Sequence, residues 1–286
     1  MESSPRVAPG TPRGIEAIEG IEGIDTSRAS AARMYDYYLG GTHHLPADVE
    51  LARQVVELLP ETPLIMRANR AFLQRAVRYC AGAGIRQFLD IGSGIPTQGP
   101  VHEVARATDP GIKVVYVDND DAAALHAAEL LADDPLSEAV QGDLRDVDGV
   151  LGHPGVRRLI DFDEPVALLF LSVLQFIPDE DDPRALVARY RDALAPGSHL
   201  ALSHATDEGL TAQAPEITEI YSRSANPIRY RSRDFVLGLF DGFDLVRPGL
   251  AKLMEWRPDG TPEERELAAR VHGAAGVGVK PRSTSR

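Results

Sequence analysis

The stretch that decides the fold is residues 87–104, QFLDIGSGIPTQGPVHEV. A strand-like run (Phe88, Leu89, Ile91) meets the glycine pair Gly92 and Gly94, the start of a nucleotide-binding loop. The third glycine of a G-x-G-x-x-G loop would fall at position 97, where the residue is Thr97. Asp90 stands directly ahead of the loop, and Pro96 gives it a fixed shape.

Working outward, the chain alternates strand and helix from position 85. Strands are expected at 86–91, 112–117, 138–141, 166–171 and 198–203, with helices at 99–107, 120–132 and 183–194. Such alternation gives an α/β fold, a mostly parallel, Rossmann-like sheet with helices on both faces. After position 230 a helix is read at 231–240, a strand-like run at 243–256, a helix at 262–272 and a last strand at 276–280. These suggest a closing antiparallel pair at one sheet edge. Before the sheet come three helices, at 26–38, 47–59 and 63–81, with Gly40-Gly41 as a stop signal and Pro46 and Pro63 at first turns. The expected organisation is a disordered tail at 1–24, a helical cap or lid at 25–84, a ligand-binding domain at 85–280 and a tail at 281–286. The Ile-Glu repeat of 14–24 fits neither helix nor strand and reads as flexible.

Composition narrows the class. The 286 residues carry 43 acids against 30 bases, a net charge of −13 that disfavours nucleic acid. The longest basic run is 229–233, and the local patch around 223–233 is suited to an anionic substrate. Cys80 is the one cysteine, so no disulfide framework is possible and a cytoplasmic location is expected. No apolar run approaches the ~20 residues of a membrane span, and no leader-like stretch is read at the N-terminus.

In an open α/β sheet, ligands bind beyond the carboxyl ends of the strands. Three successive strands end in acids: Asp90, Asp118 (followed by Asn119 and Asp120) and Asp143 (followed by Leu144). Asp118 lies 24 residues after Gly94, where a carboxylate can accept both ribose hydroxyls. Asp143 can accept from an adenine amine, with the Leu144 amide as donor to the ring. Asp90 and Thr97 discriminate between adenosine ligands. A dinucleotide would set its pyrophosphate over this loop, where a carboxylate repels it. S-adenosylmethionine has no phosphate but carries an ammonium and a sulfonium, which a carboxylate attracts.

The order DIGSG, YVDND, GDLRD and LFLSVLQFIPD resembles a class I S-adenosylmethionine-dependent methyltransferase. SRASAARMYDYYLGGTHHLPAD, RANRAFLQRAVR, SHAT and PGL…WRPDG are similar to the actinobacterial S-adenosyl methyltransferase family, once catalogued as a domain of unknown function. The resemblance spans about 25–280 and implies a seven-stranded sheet, cofactor contacts near Asp90, Gly92, Asp118 and Asp143, and no particular substrate. The cofactor site is expected to draw on Asp90, Gly92, Ser93, Gly94, Thr97, Asp118, Asn119, Asp143, Leu144, Ser172 and Tyr35. The methyl acceptor is expected to be a small molecule. The other two readings kept open are an NAD-dependent oxidoreductase and a non-catalytic S-adenosylmethionine-binding regulator.

Methyl transfer runs largely on proximity, so no protein nucleophile is required. Ser93 is no nucleophile elbow, since Ile91 and Ile95 occupy the flanking glycine positions. Should a base be needed, His204 is the first candidate and His43 the second. Arg28 and Arg33 are candidates for holding a carboxylate, and Gln175 and Phe176 for contacting adenine or acceptor. His43, His44 and Asp48 are too irregularly spaced for a metal set, and no metal is expected. Asp179–Asp182 reads as a solvated run capping the helix that starts at Pro183.

Overall fold

A computed structural model describes residues 27–208, 212–259 and 271–282. The tail and Ile-Glu repeat read at 1–24, most of the helix read at 262–272 and most of the tail at 281–286 lie outside the described residues.

Five parallel strands form the sheet's first part: β1 (Gln87–Ile91), β2 (Lys113–Asp118), β3 (Ser137–Gln141), β4 (Ala167–Leu171) and β5 (His199–His204). Each lies within one residue of its expected bounds. β8 (Ala274–Val279) runs antiparallel to β5, and two short strands, β6 (Asp244–Leu245) and β7 (Ala251–Lys252), both pair with β8. The order is β3-β2-β1-β4-β5-β8-β6, with β7 pairing β8 alongside β6, so among the described residues eight strands fill seven positions. The run read as one strand over 243–256 is therefore broken. Pro248 has no N–H to give the ladder and Gly249 turns at φ +90°.

Period-two alternation sorts the sheet's side chains into two layers. Leu89, Ile91, Val115 and Val117 face one apolar cluster, closed by α8 (Pro183–Ala193) and α10 (Arg233–Gly238). Phe88, Val114 and Tyr116 face another, closed by α3 (Thr62–Gly82) and α4 (Val101–Arg106). α3 thus shares its core with the sheet, so the boundary read at residue 84 crosses a single hydrophobic cluster. Cys80 is buried in this layer, and burial pushes its thiol up to about 12. α5 (Asp121–Leu130), α6 (Val147–Gly152) and α7 (Pro154–Leu159) complete the sheet's helical cover; the last two were not read from the sequence.

A third cluster forms the cap. It unites α1 (Ala31–Leu39), α2 (Pro46–Leu58) and a helix not foreseen, α9 (Ala214–Ser222), with Ile228. α9 begins with Pro215 in its first turn and buries Ile217, Ile220 and Tyr221 on one stripe. Gly40 ends α1 at φ +79°, as the glycine pair implied. The Asp182 carboxylate caps α8 by accepting from the Ala185 amide at 3.1 Å.

Candidate active site

The cavity opens where the strands end and the cap closes over them. Of the residues singled out in the sequence, Tyr35, Asp90, Gly92, Ser93, Gly94, Asp118, Asn119, Asp143, Leu144, Ser172, Gln175, Phe176 and His204 line it. Thr97 and His43 do not. Thr97 lies further along a loop that turns away: its amide bonds the Ile95 carbonyl at 2.9 Å, and α4 starts only at Val101. The glycine pair therefore does not open directly into a helix, as a dinucleotide loop does.

Gly92 (φ +69°) and Gly94 (φ +61°) both occupy left-handed backbone. At Gly92 a Cβ would also lie 2.1 Å from Val173 Cγ2, so no side chain fits. Asp118 braces this loop. Its Oδ2 accepts from the Gly94 amide at 2.7 Å and its Oδ1 from the Asp120 amide at 2.9 Å. Each oxygen keeps a second lone pair for a ligand. Burial pushes the Asp118 carboxyl up to about 6, against the pull of these amides.

Asp90, 3% exposed, is pushed up to about 7 by burial, with the Arg70 guanidinium opposing and Asp118 reinforcing the shift. Arg70 was not foreseen. It reaches the cavity from α3, its guanidinium 5.5 Å from the Tyr35 ring centre, and its buried Nε has no hydrogen-bond partner among the described residues. Ser30 Oγ and Tyr38 Oη are in the same state and line the same cavity. Three buried polar groups around one cavity without a well-formed partner, Tyr38 having only the neighbouring Tyr221 hydroxyl, suit a ligand that supplies the partners.

Asp143 is gripped by Arg145, whose Nη2 approaches Oδ2 to 2.5 Å, and these bonds hold its carboxyl below the usual range. Ser172, in left-handed backbone at φ +56°, lies 3.4 Å from Ser203 Oγ. The chain continues from Ser203 Oγ to Asn69 Oδ1 (2.6 Å) and from Asn69 Nδ2 to Tyr35 Oη (3.0 Å), tying β5 to α3 and α1.

The arginines expected to hold a carboxylate are engaged elsewhere. Arg33 is buried between Asp48 (Nε to Oδ2, 2.8 Å) and Asp120 (Nη1 to Oδ2, 3.0 Å). Arg28 donates to the Ser224 carbonyl at 2.6 Å. Asp48 accepts from the amides of Ser30 and Leu45 as well, so it serves as a structural clasp. His43 and His44 turn to Asp36 instead.

His204 lines the cavity, yet its ring is fully occupied. Pleat parity puts Leu200, Leu202 and His204 on one face of β5 and Ala201 and Ser203 on the other. His204 thus meets Arg231, whose Nη1 lies 3.2 Å from Nε2. A guanidinium only donates, so Nε2 accepts and Nδ1 carries the proton, donated to the Ala205 carbonyl at 2.7 Å. Burial, with Arg231 adding to it, pushes the imidazole down to about 4. A base needs a lone pair aimed at substrate, and the lone pair here is spent on Arg231. His272 also lines the cavity and is half-buried. It went unread because it falls at the end of the run taken for a helix at 262–272.

The comparisons agree with this architecture. A family model described as S-adenosyl methyltransferase matches residues 18–281. The crystal structure of a DUF574 family protein from Streptomyces avermitilis MA-4680 is 37% identical, with a TM-score of 0.86 over 90% of this chain and 99% of that one. That of a proposed methyltransferase from Thermobifida fusca YX is 38% identical, with a TM-score of 0.85 over 91% and 98%. Trans-aconitate 2-methyltransferase of Paracidovorax citrulli (strain AAC00-1) is 29% identical over 202 residues, 68% of each chain. None of these relatives supports the oxidoreductase or the non-catalytic alternative.

Proposed function

The chain belongs to the S-adenosyl methyltransferase family, and from that premise we propose that it methylates a small molecule held beneath its cap. The observation that carries the cofactor assignment is the presence of Asp90 and Arg70 in one cavity, close enough for the arginine's charge to oppose the effect of burial on the carboxyl. A buried carboxyl beside an arginine with an orphaned Nε suits the zwitterionic amino-acid end of S-adenosylmethionine and repels neither half of it. When bound, S-adenosylmethionine supplies a methyl group on a cationic sulfonium. Asp90 meets the ammonium, Arg70 the carboxylate, Asp118 the ribose hydroxyls, and Asp143 with the Leu144 amide the adenine.

The remaining lining residues hold the acceptor and exclude water. For a hydroxyl acceptor, His272 is the imidazole that takes the proton, since both ring nitrogens of His204 are engaged. The name of the Paracidovorax relative raises a tricarboxylate as acceptor. A trianion would need cations on the cap side, and the cap helices α1, α2 and α9 contribute none to the lining.

Calorimetric titration with S-adenosylmethionine and S-adenosylhomocysteine tests the cofactor roles. Both ligands should bind in the micromolar range. Asp118→Ala and Arg70→Ala should each weaken binding at least about ten-fold. Absence of binding by the folded protein, or a saturable NADH signal that S-adenosylhomocysteine does not displace, overturns the reading.

A further inference from the structure

The cavity has two chemically unlike halves. At the strand ends its lining is charged, with Asp90, Asp118, Asp143 and Arg145. On the cap side it is apolar, with Val55 and Leu59 from α2, Ile217 from α9, and Ile228. Set among these are Tyr38, Tyr221 and Tyr230, with the Tyr221 ring centre 6.1 Å from that of Phe176 at a tilt of 37°.

Four arginines of the cap and its flanks do not line the cavity and are engaged with other groups. Arg33 is locked to Asp48 and Asp120, Arg28 donates to Ser224, Arg223 donates to Gln54, and Arg229 donates to the Ile228 carbonyl. A carboxylate or phosphate brought here would lose its water and meet no counter-charge, a costly transfer. What the half does offer is flat apolar faces and neutral hydroxyls. Tyr38 is 4% exposed, and its hydroxyl faces that of Tyr221 without forming a well-aligned hydrogen bond among the described residues. Burial pushes the Tyr221 phenol up to about 12 and the Tyr38 and Tyr230 phenols above their ordinary range, so all three keep their protons at neutral pH.

We propose that the cap half binds an uncharged aromatic acceptor carrying a hydroxyl or carbonyl oxygen, with Tyr38 as the hydrogen-bond partner of that oxygen. Aromatic faces recognise a flat ring by offset or edge contact. A buried phenol whose contact with the neighbouring Tyr221 hydroxyl is poorly aligned gains a well-formed hydrogen bond when such an oxygen arrives. The proposal rests on the methyltransferase reading, because it takes the charged half to be filled by the cofactor.

The test uses the full chain saturated with S-adenosylhomocysteine and compares three probes by calorimetry. These are 2-naphthol, headed by it a small panel of uncharged bicyclic and tricyclic phenols; 2-naphthoate, the same ring bearing a charge; and trans-aconitate. The neutral phenols should bind at least about ten-fold more tightly than 2-naphthoate, and trans-aconitate should not compete with them. Tyr38→Phe should weaken the best phenol about five-fold while leaving S-adenosylhomocysteine affinity unchanged, since its hydroxyl faces the Tyr221 phenol in the cap half and not the charged half. Equal or tighter binding of either anion overturns the proposal, as does failure of the whole neutral panel in a protein that binds S-adenosylhomocysteine. An unchanged phenol affinity in Tyr38→Phe overturns the role given to Tyr38. Failure to bind S-adenosylhomocysteine at all strikes instead at the underlying cofactor reading, and the first titration separates the two.

Discussion

Asp90 combines a fixed place, the carboxyl end of the central strand β1, with an unsettled charge. Burial lifts its carboxyl from 3.8 to about 7, so in the free protein it is close to half ionised at neutral pH. In the role proposed for it, only the ionised form receives an ammonium. Affinity for S-adenosylmethionine should therefore fall as pH drops through about 7, approaching ten-fold per pH unit below it. Binding near pH 6.5 should release protons, seen as a calorimetric enthalpy that varies with the buffer's ionisation heat. Asp90→Asn should bind more weakly and lose that buffer dependence.

Stability of the free protein carries the matching sign. Asp90 at about 7 and Asp118 at about 6 both bind protons more tightly folded than unfolded. Their contribution is fully present below the ordinary 3.8 and is lost as pH rises through 6 to 7. The residue scale also explains what the sequence could not disclose. Asp90, Asp118 and Asp143 were legible because strand ends in a parallel sheet converge, so a carboxylate at each end is enough to bring them together. Arg70 was not, because it reaches the site by tertiary packing from mid-helix, with no local pattern to mark it. His204 misled because its partner, Arg231, stands 27 residues further along the chain.

Among the elements, the cap shows how a helix layer is fastened to a sheet. Arg33 of α1 bonds Asp48 of α2 and Asp120 at the end of β2, and the Arg33–Asp48 pair is nearly solvent-free, at 3% and 0% exposure. Removing one member of such a pair leaves the other charge buried and alone. Asp48→Ala should cost about 3–5 kcal/mol, read by chemical denaturation, and Asp48→Asn should cost less by keeping a hydrogen-bonding side chain. Cofactor binding should weaken too, because Asp120 lies beside the Asp118 brace. The long helices and the first five strands were readable from periodicity and punctuation. α9 carries a readable signal, a proline followed by Ile217, Ile220 and Tyr221 at helical spacing, where no element was expected. At the edge, Pro248 and Gly249 break the run expected as one strand over 243–256, and the apolar residues on either side mask that break in the sequence.

The molecule as a whole is a sheet held between two apolar layers, with the cap as a third body over the strand ends. No helix among the described residues is long and apolar enough to cross a membrane. Cys80 lies in the α3 layer, fully buried, with its thiol pushed up to about 12, and no other cysteine occurs in the chain. The protein thus carries a clock of its own. A thiol reagent meets Cys80 only when α3 lifts from the sheet, so the labelling rate counts those openings without any engineered probe. Native protein should resist labelling over hours, denatured protein should take up one equivalent at once, and S-adenosylmethionine should slow the native rate in proportion to its saturation. Rapid labelling of the native protein would mean that α3 is only loosely seated, and that the floor beneath Arg70 moves with it.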